Sequence, residues 1–192
     1  MTTTTKTKRT TTEKPIETLP TNPFAFEVLQ LVSKQKSNAK KVEVLKTYED
    51  NSLKTIFIWN FDESVISLLP EGEVPYASTG EQNSFSGTLS SKIEDAVLKM
   101  EELSSNSLGS MDQGRSSIRK EYTMFYNFIK GGNDSLSSIR RETMFINILQ
   151  GLHPLEAEIV CLIKDKRLTD KYKISFENVK EAYPDIQWGG RS

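Results

Sequence analysis

The chain has 192 residues, 36% of them hydrophobic and 27% charged, which allows one domain, or one domain plus a tail, and is lean for a single packed core. Its formal net charge of -1 excludes a globally basic nucleic-acid binder and leaves only local basic patches. One cysteine, Cys161, and one histidine, His153, exclude an intramolecular disulfide, a cysteine-rich zinc site and any site built from several imidazoles.

Residues 1–20, MTTTTKTKRTTTEKPIETLP, almost lack large apolar groups and read as a disordered, Thr-rich, weakly basic tail. The start is polar, without the apolar stretch of a secretory signal, and no later run approaches the roughly 18 apolar residues that span a bilayer. A cytoplasmic protein without membrane association is expected. Folded structure, a helical domain over 21–188, should begin at Thr21-Asn22-Pro23. Asn22 is placed as N-cap and Pro23 as first helical residue of a short helix ending near Lys34. Ser37 or Asn38 caps a second helix carrying Val42, Leu45 and Tyr48 at helical spacing. Glu49-Asp50-Asn51-Ser52 reads as a turn and a new cap. The run KTIFIWNF is rich in strand formers, but Leu53 to Phe57 keeps the i, i+3, i+4 recurrence and argues for a helix. Asp62 to Leu69 is expected to continue it by a turn or two, up to Pro70.

Residues 70–90 are punctuated by Pro70, Gly72, Pro75, Gly80 and Gly87 and read as a loop. SKIEDAVLKMEEL (91–103) sets Ile93, Ala96, Val97, Met100 and Leu103 on one face of an amphipathic helix. Residues 77–115 as a whole read as a flexible insertion holding that helix. Beyond it, SSIRKEYTMFYNFIKGG (116–132) and SSIRRETMFINILQG (137–151) are close copies that differ mainly by an extra Tyr122. Each opens on Ser and a basic pair and stops at Gly, which predicts two similar helices in a hairpin. His153-Pro154 starts a further helix with Ile159, Leu162, Ile163 and Leu168 on one side. Ser175 caps a last one, stopped before Pro184. Residues 189–192 form a tail, and Trp188 is either a packing anchor or an exposed contact. Trp59, Phe57, Phe125 and Phe145 are the expected core.

Catalytic constellations are thin. No GxxxxGK[ST] loop is present, and Gly131-Gly132 has no strand before it to make a dinucleotide site. Cys161 lies on an apolar helical face and reads as a buried, inert thiol. His153 suits a cap or surface role. Glu101-Glu102 and the pair Glu156 and Glu158 read as solvated positions. The expectation is a non-enzymatic protein with no metal and no cofactor. Basic residues fall into three clusters: Lys34, Lys36, Lys40 and Lys41 at the first interhelical turn; Arg119, Lys120, Arg140 and Arg141 at the starts of the copies; and Lys164, Lys166, Arg167, Lys171 and Lys173 near the C-terminal turn. Lysines and arginines at interhelical turns can meet phosphates, and only their convergence on one side would make a binding surface.

The stretch FEVLQLVSKQKSNAKKVEVLKTYEDNSLKTIFIW resembles the opening of the ATP-dependent DNA ligases of T-even-type bacteriophages. Those begin with a short helix, a lysine-bearing turn of the STKQK kind, and a helix ending in a charged step into a third. Ser33-Lys34-Gln35-Lys36 and Asp50-Asn51-Ser52-Leu53-Lys54 occupy those steps here. ILQGLHPLEAEIVCLIKDKRLTDKYKISFENVKEAYPDI is similar to the segment that closes the ligases' N-terminal domain, with Asp165, Lys180 and Tyr183-Pro184 on its pattern. The same layout resembles small uncharacterised proteins of T-even-like marine phages. What the resemblance implies is an all-α, compact multi-helix bundle that lies along a DNA duplex. The catalytic KxDG motif is missing, since the chain has no Asp-Gly pair, and residues 77–115 have no ligase counterpart. The expected role is therefore a non-catalytic phage DNA-binding or DNA-transaction accessory protein. It would contact backbone phosphates through Lys34, Lys36, Lys40, Lys41, Arg140, Arg141, Lys166 and Lys173. The alternative is a protein-interaction module that binds a phage or host replication or transcription protein, or one of virion assembly.

Overall fold

A computed structural model describes residues 17–72, 75–76, 87–88 and 116–191. The expectations for residues 1–16 and for the amphipathic helix at 91–103 lie outside the described residues. Within them the chain is all-α, as expected, with eight α-helices and one pair of two-residue antiparallel strands, β1 (Pro75–Tyr76) and β2 (Gly87–Thr88), that sets Pro75 opposite Thr88.

The first helix, α1 (Ala25–Lys34), starts later than Asn22 predicts: Phe24 is its N-cap, and the Phe24 N–H donates to Glu27 Oε2 at 2.7 Å. A phenyl ring offers no acceptor, so the next exposed N–H needs one from elsewhere in the fold. α2 (Asn38–Thr47) and α3 (Asn51–Phe61) follow the sequence closely. Ser37 Oγ accepts from Lys40 N at 3.3 Å, and Asp50 Oδ1 accepts from Ser52 N at 2.8 Å. The expected extension over Asp62 to Leu69 does not form. Asp62 leaves the helical region and its carboxylate takes the N–H of Ser64 at 2.9 Å, the local competition by which Asp ends helices. Extended chain follows, with Leu68 N donating to Phe128 O at 2.8 Å and Lys130 N to Ile66 O at 2.9 Å.

The two sequence copies do not fold alike. The second is a 14-residue helix, α5 (Ser138–Gly151). The first is a single turn, α4 (Ile118–Glu121), that tightens into a 3-10 segment over Tyr122–Phe128. A three-residue repeat stacks i on i+3, which places Phe125 and Phe128 together in the core. The turn after it requires glycine: a Cβ at Gly132 would lie 1.9 Å from the carbonyl oxygen of Tyr126.

α6 (Pro154–Lys164) opens with His153 as cap, its Nδ1 accepting Leu155 N at 3.2 Å. It closes in a Schellman turn, with Lys166 N on Ile163 O and Arg167 N on Leu162 O, which holds Lys166 at φ +57. The one-turn α7 (Leu168–Lys171) leads to α8 (Phe176–Ala182), where Ser175 and Asn178 cap each other's N–H groups. α2 packs on α1 and α8, and α3 on α6. The four expected core residues are all buried, and the rings of Trp59, Phe125, Phe128 and Phe145 form one chain through the interior, with centroids between 5.2 and 6.4 Å apart. Trp188 is a packing anchor: it meets Phe176 edge-on at 4.8 Å. The ordered contacts reach further at both ends than the sequence suggests. Leu19 N donates to Tyr48 Oη at 2.8 Å, and Gly189 N and the Arg191 guanidinium reach the buried carboxylate of Asp62 at 2.9 and 2.7 Å.

Candidate nucleic-acid interface

Five of the eight expected contact residues gather at one edge, where the end of α1, the start of α2 and the strand-like link into α8 meet. Ser33 Oγ donates back to Leu29 O at 2.8 Å and accepts Lys173 N at 3.1 Å. From α2, Lys41 Nζ donates to Lys173 O at 2.5 Å. Lys173 is thereby held by backbone on both sides while its side chain stays exposed. Lys34 and Lys36 flank the same corner and are exposed; Lys40 and Lys41 are half-buried on the first turns of α2. Lys34 is 64% exposed and pairs with Glu17 at 3.2 Å, a surface ion pair of little worth to stability. The result is an edge to which three elements bring lysines, with Glu17 as the acidic partner of Lys34.

The other three expected residues stand elsewhere, for reasons the structure makes plain. Arg141 is buried. Its Nε donates to Asn127 O at 2.8 Å and one terminal nitrogen to Asn133 O and Leu136 O, both at 3.0 Å, so it ties down the turn between the two copies. Lys166 Nζ donates to Asp62 O at 2.6 Å, and burial holds its pKa below the ordinary lysine value, against the nearby charges of Asp62 and Glu63. Arg140 is exposed but lines a different feature, an open groove of about 510 Å³ between the 3-10 segment and α5. Glu121, Met124, Leu136, Met144 and Ile148 also line it.

The sequence reading missed the carboxylates that organise the fold. Glu156, expected to be solvated, is 1% exposed. Its Oε1 accepts Ala25 N at 3.0 Å and its Oε2 accepts Ile118 N at 2.8 Å, so one side chain of α6 caps both α1 and α4. Burial pushes this carboxyl above the usual range, against the pull of the two N–H groups and the Arg119 charge. Asp62 goes the other way. Its burial penalty is outweighed by hydrogen bonds from Ser64 and Gly189 and by Arg191, which hold its pKa below the usual value. An Asp immediately after a helix and a Glu in a helix's first turn were the available signals, and both are also common on surfaces. Cys161, expected to be buried, is half-buried, and desolvation pushes its pKa up to about 12.

Among the described residues no group of three His, Cys, Asp or Glu side chains is placed to hold a metal ion, and no helix is long and apolar enough to cross a membrane. No curated protein and no solved structure matches the chain. One family model does, over residues 28–97 and 104–170, which is more than half of the chain. The two matched stretches run from within α1 to α7 and take in both copies of the repeat. The chain belongs to this family, described as a family of unknown function (DUF6433).

Proposed function

We propose that this chain is a non-catalytic DNA-binding accessory protein of phage DNA transactions, which holds the backbone of a duplex along the edge formed by Lys34, Lys36, Lys40, Lys41 and Lys173. One observation carries the reading: Ser33 and Lys41 clasp the backbone of Lys173 from two helices, so lysines more than 130 residues apart in sequence stand at one corner. Ammonium groups act on phosphate as point charges and carry no base information. The ligase-like stretches around Ser33-Lys34-Gln35-Lys36 lend the reading its choice of DNA and of a phage setting. Arg141 drops out of the contact set because its donors are spent inside the fold, Lys166 because it stands beside Asp62 and away from this edge, and Arg140 because it faces the groove.

A fluorescence-anisotropy titration of the full chain against a labelled duplex tests this. If each of five lysines neutralises one phosphate, the slope of log K against log salt is about -4 to -5, and affinity falls steeply between about 50 and 200 mM salt. Replacing Lys36 or Lys173 by Ala should each flatten that slope by about 1. Absence of binding at low salt refutes the reading, and so does a slope indifferent to both substitutions.

The second reading, a protein-interaction module, draws on the groove, beside which Met124 and Ile139 are exposed, Ile139 by 76%. There the partner would be an amphipathic helix of a replication, transcription or virion-assembly protein. Binding lost on Ile139→Glu and untouched by Lys173→Ala would favour it.

A further inference from the structure

Glu156 joins two parts of the fold that the sequence keeps far apart. α1 begins at Ala25, and the chain re-enters the described fold at Ser116, two residues before Ile118. Both N–H groups at these starts end on the same carboxylate, at 3.0 and 2.8 Å, in a place where water cannot substitute for either donor. The neighbouring contacts run the same way. The Arg119 guanidinium donates to Pro23 O at 3.3 Å and to Asp50 Oδ2 at 2.5 Å, so the segment after Ser116 also holds the approach to α1 and the cap of α3. On its other side, Ser116 N donates to Gly151 O at 2.8 Å and Ser116 Oγ to Glu121 Oε1 at 2.5 Å.

A buried carboxylate with two N–H donors does not lose one of them independently of the other. With one donor gone, the charge has lost half of its local solvation in a medium where solvation is costly to replace. A proton taken up on the oxygen that has lost its N–H leaves the other oxygen as a neutral carbonyl and strips the charge assistance from its hydrogen bond. Neutralised in this way, or withdrawn from its seat, the carboxyl holds the second N–H less well than the seated carboxylate did, and the difference is a coupling free energy between the two helix starts.

We infer that Glu156 is a conformational coupling point: seating of Ser116–Arg119 and anchoring of the N-terminus of α1 are held by one group and released together. The far end of α1 carries Ser33 and Lys34, so displacement of the segment at Ser116 reaches the lysine edge through the body of that helix. A partner or a cleavage that unseats residues 116–119 would thereby loosen α1 without touching it. The inference rests on the two hydrogen bonds and not on DNA binding.

Residue-resolved hydrogen exchange on the full chain tests it without any ligand. Ile118→Pro deletes the N–H itself, at a first helical position that suits proline and after a Ser117 already in extended conformation. Ile118→Ala loses a comparable side chain and keeps the N–H. The Ala25 amide should exchange about tenfold faster in the Pro variant than in the Ala variant, the factor that corresponds to one hydrogen bond to a charged group. The amide of Asn178, capped by Ser175 in α8, should be equal in both. Equal Ala25 rates in the two variants overturn the inference. If either variant does not fold, Ser116→Ala provides the second test, since it removes the Oγ bond to Glu121, keeps the backbone bond to Gly151, and touches neither α1 nor Glu156. Exchange at Ile118 and Ala25 should then rise together, and a rise at only one of the two amides in Ser116→Ala overturns it equally.

Discussion

Glu156→Gln changes one oxygen to an amide nitrogen and leaves the shape of the side chain intact, which makes it the sharpest test of the buried cap. The wild-type carboxylate accepts from Ala25 N and Ile118 N, one on each oxygen. Gln keeps a single acceptor, so one of the two N–H groups must face an NH2 that can only donate. Leaving that buried N–H unsatisfied costs about 1–3 kcal/mol, and the bond that survives loses its charge assistance, worth roughly another 1 kcal/mol. Against this stands the relief of no longer burying an ion, the same desolvation that pushes this carboxyl's pKa up. The balance is a net destabilisation of about 2 kcal/mol, or roughly a 4–8 °C fall in Tm for a domain of this size. Urea unfolding followed by far-UV circular dichroism measures it, with an unchanged m-value as the sign that only stability has moved. A variant within about 0.5 kcal/mol of wild type, the range of ordinary surface substitutions, would refute the double cap.

Three further outcomes follow from the packing. Phe145→Ala removes a fully buried ring that meets Phe128 edge-on at 5.2 Å and should cost about 3–5 kcal/mol in the same urea assay. Gly132→Ala drives a Cβ to within 1.9 Å of the Tyr126 carbonyl oxygen, a backbone collision no rotamer relieves, so it should destabilise by more than the ~1 kcal/mol of an ordinary Gly replacement. Arg191→Ala weakens the network that holds the Asp62 pKa below its ordinary 3.8. A depressed carboxyl contributes stability that is present above the unfolded value and lost as pH falls through the folded one. The wild type should therefore exceed Arg191→Ala at neutral pH, and the gap should close as pH is lowered below about 4, read from urea midpoints across that range.

Helix existence was legible in the sequence wherever an apolar stripe and a cap agreed. α2, α3, α6 and α8 show both, at Ser37, Asp50, His153 and Ser175. What failed were places where a side chain from a distant element overrides the local signal. Asn22 is a good cap in isolation, yet α1 starts at Ala25 because Glu156, 131 residues away, supplies the acceptor. Asp62 to Leu69 carries enough apolar residues for a helix, yet Gly189 and Arg191 give the Asp62 carboxylate partners that reward leaving the helix at that point. The site follows the same rule. That Lys34, Lys36, Lys40 and Lys41 lie together was visible as a run; that Lys173 joins them depends on Ser33 and on the packing of α2 on α8, which no local pattern encodes.

The repeat shows how one residue decides which of two equivalent arginines or lysines is available to a partner. With each α-helical residue turning the chain by about 100° and each 3-10 residue by about 120°, the seven steps from Ile118 to Phe125 come back to within about 40° of the same face. In the second copy, without a counterpart of Tyr122, the six steps from Ile139 to Phe145 leave Ile139 about 120° away. Both phenylalanines are buried, so the isoleucines must part company: Ile118 is fully buried and Ile139 is 76% exposed. The basic pairs exchange roles by the same arithmetic. Four steps from Arg141 to Phe145 put its stem on the inner face, where the guanidinium finds Asn127, Asn133 and Leu136 carbonyls. Five steps from Lys120 to Phe125 turn that lysine outward, and it is exposed. The copies look interchangeable as strings, but the inserted Tyr122 shifts the buried face against the basic pair. The internal role of Arg141 was thus written in the spacing to Phe145 rather than in the Arg-Arg pair itself.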